Sequence, residues 1–413
     1  MGACSRCRIL RKTCDKGSPC SACEKVISPR VWNAGCIRDK LSDHVQLYSA
    51  GVQIVVSQKR CQELRDQLNP TNKGAVVEIS QFPELGSGIV APILEYSVGP
   101  VPGPAGTSRQ IVMIDVDKDD LPQKLEEYMR EVLTMLVQHE RSTFARVLLE
   151  TAIQERAKTD DKLLELALEL WGLVEIIDRE NEWQISEKPQ VADGQSDRVM
   201  PPQSPTLPDP PLNVYSVMTQ QLSAAAERKA STTSKVLLDK MNRDLHDSKT
   251  KVGFPMFLSA LILLNCIEKT AWTFLAWETD SIRPNWPLEK DPASFTRDLS
   301  RVAENLKTLL VMRKVLPQTE KSEPHGTIAA VDAPEAMHFF FHRLGLDCKY
   351  PRFPAPLFSC ADIDHSQGIP SKLGRISCYF PRLTLAPRSC ITVHISSSRR
   401  LRFRAKDPER PES

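Results

Sequence analysis

Six of the twelve cysteines in this 413-residue chain fall within its first 36 residues: Cys4, Cys7, Cys14, Cys20, Cys23 and Cys36, spaced C-x2-C-x6-C-x5-C-x2-C-x12-C. A segment of about 40 residues cannot hold itself folded by an apolar core alone, so it needs disulfides or metal. The opening residues, Met1-Gly2-Ala3-Cys4-Ser5-Arg6, have no apolar stretch of the kind a secretory signal carries, which argues against an oxidised framework. Arg6 also breaks the N-myristoylation pattern. Clustered thiols in a reducing compartment point to metal binding.

The two C-x2-C pairs are the informative part. A two-residue gap lets both sulfurs turn toward one ion, and zinc takes four such ligands in a tetrahedron with Zn–S bonds of about 2.3 Å. Two four-coordinate ions need more ligand places than six thiolates supply unless two of them bridge, so six cysteines suit two zinc ions. Asp15-Lys16-Gly17-Ser18-Pro19 joins the two halves with a Gly and a Pro as turn-makers. Arg6, Arg8, Arg11, Lys12 and Lys16 surround the first half and offset the thiolate charge.

With Cys-Ser-Arg-Cys-Arg-Ile-Leu-Arg-Lys-Thr-Cys-Asp followed by Lys-Gly-Ser-Pro-Cys-Ser-Ala-Cys, the stretch Cys4 to Cys36 resembles the fungal binuclear zinc-cluster (Zn2Cys6) DNA-binding domain. The resemblance implies that Cys4 and Cys20 are the bridging thiolates, one zinc also taking Cys7 and Cys14 and the other Cys23 and Cys36. It implies DNA contacts from Arg8, Arg11, Lys12 and Lys16, with a short helix in the major groove and dimer spacing setting half-site separation. Three features depart from the family pattern. The gap before Cys36 is longer than usual, with Trp32 near its end. Leu10 and Thr13 stand where Lys or Arg is common, and Arg11 replaces the commonest lysine. Fewer cations imply weaker DNA binding, which keeps a second reading open: a zinc-stabilised protein-interaction factor that does not bind DNA. A RING-like module is disfavoured because no histidine lies between the cysteine pairs.

Charge is polarised along the chain. Residues 1–40 carry nine Lys/Arg against three Asp/Glu, and residues 366–413 carry ten against three, while the whole chain is only +2. The middle is therefore acidic and both ends suit a nucleic-acid or import-receptor contact. Ser366 to Lys406 has basic residues and no acids, with a run from Arg399 to Lys406, and its serines and prolines suggest a disordered tail.

Between these ends the expected architecture is mainly all-α, a small irregular zinc-cluster domain (1–40) being followed by a linker (41–118), a helical region (119–187), a Pro-rich linker (188–214), a second helical region (215–347) and the basic, disordered tail (348–413). The first linker holds Pro92, Pro100, Pro102 and Pro104, with a short helix expected at Val56 to Leu68 and an extended piece at Gln110 to Val116. Leu125, Tyr128, Met129, Val132, Leu133 and Leu136, then Leu163 to Ile177, recur at helical spacing, and Asp119-Asp120 before Leu121-Pro122 forms a helix start. The apolar run Phe254 to Cys266 is too short to span a bilayer and reads as a core helix, so no membrane partner is expected.

No P-loop, G-x-G-x-x-G, H-E-x-x-H or G-x-S-x-G occurs, and the chain is not expected to be an enzyme. His338 and His342 lie four apart beside Phe339, Phe340 and Phe341, without a third ligand nearby, and read as a packed aromatic helix end. Cys348, Cys360, Cys378 and Cys390 contain no close pair and are treated as free thiols. The expected function is a nuclear, sequence-specific transcription regulator of the RNA polymerase II type, holding two zinc ions and meeting double-stranded DNA, co-regulators and a second copy of itself.

Overall fold

Most helix starts in this chain are set by a side chain that can accept an otherwise orphaned amide hydrogen. The computed structural model describes residues 2–26, 35–38, 40–44, 51–97, 109–188, 198–200, 207–208, 211–279, 283–316, 319–320, 327–328 and 335–344. The cysteine-rich segment holds α1 (Ser5–Ile9) and α2 (Ser21–Glu24), and α3 (Leu41–His44) follows it. α4 (Val52–Leu68) opens on Gly51 at φ +72°, a left-handed conformation that glycine adopts without strain. It has no cap of its own. Three helices then follow closely: α5 (Leu121–Gln138), α6 (Thr143–Thr159) and α7 (Lys162–Asp178). Asp120 caps α5 by accepting from the Gln123 amide, Ser142 caps α6, and Asp161 accepts from both Leu163 and Leu164 to cap α7.

The second helical region is built from α8 (Val214–His246), α9 (Phe254–Trp277), α10 (Pro292–Met312) and α11 (Glu335–Arg343). Asn213 and Asp291 cap α8 and α10. α7 lies at the centre of the body, with Leu164, Ala167, Leu170, Trp171, Leu173 and Val174 fully buried and with neighbours in α5, α6, α8 and α9. Gly172 permits the approach of α5, because a Cβ there would sit 2.9 Å from the Met129 Cγ and closer still to its sulfur. α9 is long and apolar enough to cross a membrane, but most of it is buried inside the protein, as a core helix would be. At α11, Phe340 meets Phe254 and Phe257 at ring distances of 6.1 and 6.3 Å. His338 is buried and His342 exposed, and the phenylalanine contacts make this segment the packed aromatic helix end expected.

The described residues depart from an all-helical body in a five-stranded sheet and two short two-residue ladders, Leu207–Pro208 with Pro211–Leu212 and Thr319–Glu320 with Thr327–Ile328. Strands β1 (Val76–Ser80), β2 (Ile89–Ser97), β3 (Arg109–Ile114), β4 (Gln184–Lys188) and β5 (Arg198–Met200) form an antiparallel sheet in the order β3-β2-β1-β4-β5. Three of these strands occupy the stretch expected as a linker, and β5 lies in the expected Pro-rich linker. Their pairing is long-range: Val76 lies opposite Lys188 and Ile79 opposite Ile185. Val77, Ile79, Ala91 and Ile93 are fully buried, so the inward face is apolar although each strand is short. Pro92, read as a breaker, sits within β2 opposite Val76, and its carbonyl accepts from the Asp115 amide at 2.8 Å. At the β3 edge the Gln221 side chain of α8 accepts from the Ile114 amide (2.8 Å) and donates to the Ile114 carbonyl (2.9 Å), which ties the sheet to α8. α4 begins at Val52, earlier than the expected Val56, and β3 coincides with the expected extended piece. Trp32, the four C-terminal cysteines and the basic tail lie outside the described residues.

Candidate metal centre

The two C-x2-C pairs adopt one local design, used twice. Cys4 precedes α1 and Cys20 precedes α2, with nearly identical extended backbones (φ −64°, ψ 155° and φ −69°, ψ 155°). A helical turn after each leading cysteine brings the second sulfur of the pair back beside the first, so Cys4 and Cys7 converge, as do Cys20 and Cys23. The closing cysteine of each half is held in the same way. The Cys4 amide donates to the Cys14 Sγ at 3.3 Å, and the Cys20 amide donates to the Cys36 Sγ at 3.4 Å. The two halves thus repeat one local arrangement.

The six sulfurs form two overlapping sets of four, Cys4, Cys7, Cys14 and Cys20 in one and Cys4, Cys20, Cys23 and Cys36 in the other, with ligand atoms inside each set within 4.8 Å of one another. Cys4 and Cys20 are common to both. Sulfur–sulfur separations within the sets include 3.6 Å (Cys4 to Cys23), 3.7 Å (Cys7 to Cys20) and 3.9 Å (Cys4 to Cys20). These are far beyond a disulfide bond. They match the edge of a tetrahedron with Zn–S bonds of about 2.3 Å, which is about 3.8 Å. Both shared sulfurs are fully buried, as is that of Cys7. Burial pushes the thiols of Cys4 and Cys7 up, Cys7 to about 12. At Cys20 burial acts the same way but is outweighed by hydrogen bonds from Cys23, Cys14 and Cys7, and the thiol is held at about 6. Such crowded sulfurs cannot all ionise side by side unless cations lie among them, so the donor set fits a metal.

Side chains that the cysteine pattern does not reveal hold the frame. Arg6 donates to the Ala22 carbonyl at 3.0 Å and approaches the Cys23 Sγ at 3.8 Å, so it joins the two halves as well as adding charge. Arg38 donates to the carbonyls of Gly2, Asp15 and Gly17 at 2.8, 2.5 and 2.7 Å, lashing the end of the segment to its start and to the connecting turn. Asp15 accepts from the amides of Gly17 and Ser21, both at 2.9 Å, and from the Ser21 hydroxyl. These bonds, those from Ser21 foremost, hold its carboxyl at about 2. The available signal was the repeated Cys-Ser, at Cys4-Ser5 and Cys20-Ser21. It marks both helix starts and supplies the Ser21 partner of Asp15.

Of the cations expected at DNA, Arg8, Arg11, Lys12 and Lys16 are all exposed. Arg8 lies in α1, while Arg11 follows it in a left-handed conformation (φ +51°). The Arg11 Nε donates to the Ser248 Oγ at 2.7 Å, beyond the end of α8. Leu10 is 43% exposed and so is not used to pack the segment.

Comparison with known proteins adds to this picture from the middle of the chain. The family model described as KpeA transcription factor matches residues 105–334, more than half of the chain. The chain belongs to the KpeA transcription factor family. The part matched by the KpeA family model runs from just before β3 to just before α11, so it takes in α5 to α10 with strands β3, β4 and β5 and leaves out β1, β2 and the cysteine-rich segment. The transcription factor kpeA of Aspergillus oryzae (strain ATCC 42149 / RIB 40) is 50% identical over 36 residues, which are 9% of this chain and 5% of that protein. No solved structure matches.

Proposed function

We propose that this member of the KpeA family is a nuclear, zinc-dependent, sequence-specific DNA-binding regulator of transcription whose first 40 residues are a binuclear zinc cluster. The observation that carries the reading is the pair of four-sulfur sets sharing Cys4 and Cys20, each with its sulfurs within 4.8 Å of one another. Two zinc ions would be held there, with Cys4 and Cys20 bridging, Cys7 and Cys14 completing one site and Cys23 and Cys36 the other. The metal would be structural, supplying the folding free energy that so short a segment cannot draw from a core. Double-stranded DNA is the partner this arrangement supports, with Arg8, Lys12 and Lys16 on phosphates and Arg11 reading a guanine through O6 and N7. Co-regulators and a second copy of the chain are further partners of such a regulator. Nothing in the site calls for enzymatic chemistry.

The intact chain should carry two zinc ions by native mass spectrometry and retard a subset of short duplexes drawn from a randomised pool. Arg11→Ala should erase the preference at one base pair, a loss of about 1–3 kcal/mol of discrimination. Arg8→Ala and Lys12→Ala should instead weaken all sequences alike and lower the salt slope by about one each. One zinc per chain would reject the binuclear cluster. Two zinc ions with no retardation even at low salt would favour the interaction-factor reading, for which Leu10 and Thr13 in place of cations are the motive.

A further inference from the structure

The cysteine-rich segment is packed against the C-terminal end of α8, and the contact uses one of the cations that the proposed function assigns to DNA. The Arg11 Nε donates to the Ser248 Oγ at 2.7 Å. The Leu41 amide donates to the Asn242 Oδ1 at 3.3 Å, and the Ser42 hydroxyl donates to the Asp239 Oδ1 at 2.7 Å. Leu41 is 5% exposed and Ser5 7%, and the remaining gap, bounded by Ser5, Ile37, Leu41, Asn242, His246 and Leu309 among others, is a cavity of only about 10 Å³. The receiving turn is held in shape independently. Asp247 accepts from the Lys249 amide (3.0 Å) and the Thr250 hydroxyl (2.8 Å), and Arg313 of the α10 end donates to the Thr250 carbonyl (2.5 Å).

We propose that this contact is an autoinhibitory clasp: the end of α8 occupies Arg11 and one side of α1, and DNA binding requires the cysteine-rich segment to leave it. The inference rests on the proposed reading of Arg11 as a DNA contact. Its physical basis is exclusion. Ser248 and a base edge compete for the same guanidinium, and α1 cannot have a duplex and the end of α8 on the same side. The negative end of the α8 dipole favours arginine side chains there, as a phosphate would. Arg8 is near enough for its charge to help depress His246, whose pKa is lowered chiefly by burial. The direct bonds across the contact join side-chain acceptors of the helical body to amide, hydroxyl and guanidinium donors, and each is of a strength that a competing ligand can replace. Leu41 is the main apolar anchor, so the clasp can open without unfolding either side.

The test uses the intact, zinc-loaded chain, the randomised duplex pool and two charge-neutral changes outside the proposed DNA-contacting residues. Ser248→Ala frees Arg11, and the double variant Ser42→Ala/Asn242→Ala removes the other bonds. Both should bind the pool about 3- to 10-fold more tightly than the parent protein, the range expected for losing competing hydrogen bonds. Hydrogen exchange at the Leu41 amide should accelerate in the parent protein when the pool is added. Equal affinities, or a Leu41 amide that stays protected in the DNA complex, would overturn the clasp while leaving DNA binding intact. Failure of parent and variants alike to bind at low salt, with two zinc ions present, would overturn it by removing the DNA reading on which it depends.

Discussion

The cysteine-rich segment and the helical body are held together by opposite means. In the segment the fully buried hydrophobic positions are three cysteines, and order comes from sulfur geometry, two arginine lashings and an aspartate turn. In the body, α7 and α9 bury leucine, isoleucine, phenylalanine and a central tryptophan, and helix caps fix where each element begins. The first kind of structure concentrates its stability in a few donors, while the second spreads it over many contacts. The two should therefore fail separately, under different insults.

The largest separation is expected with a chelator. Removing metal from the intact chain should unfold α1 and α2 and leave the helical body intact, because structural zinc in small domains contributes roughly 10–16 kcal/mol of apparent binding free energy to folding. Hydrogen exchange resolved along the chain would show this as deprotection of α1 and α2 alone. Simultaneous loss of α7 protection would mean that the body depends on the segment. Within the segment, Cys4→Ser or Cys20→Ser should cost both ions and Cys36→Ser only one, as read by mass spectrometry.

The converse change is Trp171→Ala. Emptying that fully buried site should destabilise the body by about 3–5 kcal/mol, lowering its denaturant midpoint while the zinc content stays the same. A fall in zinc content at temperatures where the body remains folded would join the two regions.

A third test concerns α4, whose uncapped start borrows an acceptor from α8. The buried Glu227 carboxylate accepts from the Ile54 amide at 2.9 Å, and burial raises its pKa to about 7. A raised carboxylate pKa means that folding favours the protonated form. This contribution is complete below the ordinary value near 4.5 and is lost as pH rises through about 7. Parent protein should lose on the order of 2–3 kcal/mol of stability from this group between acid and mildly alkaline pH. Glu227→Gln should flatten that dependence, and thermal melts of both proteins at pH 5 and 8 would check it. A parallel slope in the two proteins would assign the effect elsewhere.

The smallest expected effect is at a helix start. Asp161→Ala removes the acceptor for two amides of α7 and should cost about 1 kcal/mol, visible as a small shift in the denaturant midpoint of the body and none in metal binding.

The same contrast explains what could be read from the residues alone. Cysteine spacing is local, so the convergence of six sulfurs was legible, and so were the caps at Asp120 and the apolar stripes of α5 and α7. The sheet was not. Its central pairing joins Val76–Ser80 to Gln184–Lys188, strands of five residues whose partner is far along the chain. Pro92, lacking an amide, looked like an interruption although its position in β2 needs only its carbonyl. The clasp was hidden for a related reason. Ser248 and Asn242 are ordinary polar residues until the fold brings Arg11 and Leu41 to them.

The repeated half-cluster has a bearing on how such chains vary. Six residues separate Cys7 from Cys14 and twelve separate Cys23 from Cys36, yet each closing sulfur receives the amide of its leading cysteine at almost the same distance. Loop closure makes that tolerance inexpensive, since doubling a flexible loop costs only about 0.6 kcal/mol. The C-x2-C turn therefore fixes each half-cluster, and the connection to the third cysteine can differ in length without moving the closing sulfur. A search keyed to fixed overall spacing would pass over relatives that differ only there, whereas one keyed to two Cys-Ser-x-Cys turns with a free third cysteine after each would find them.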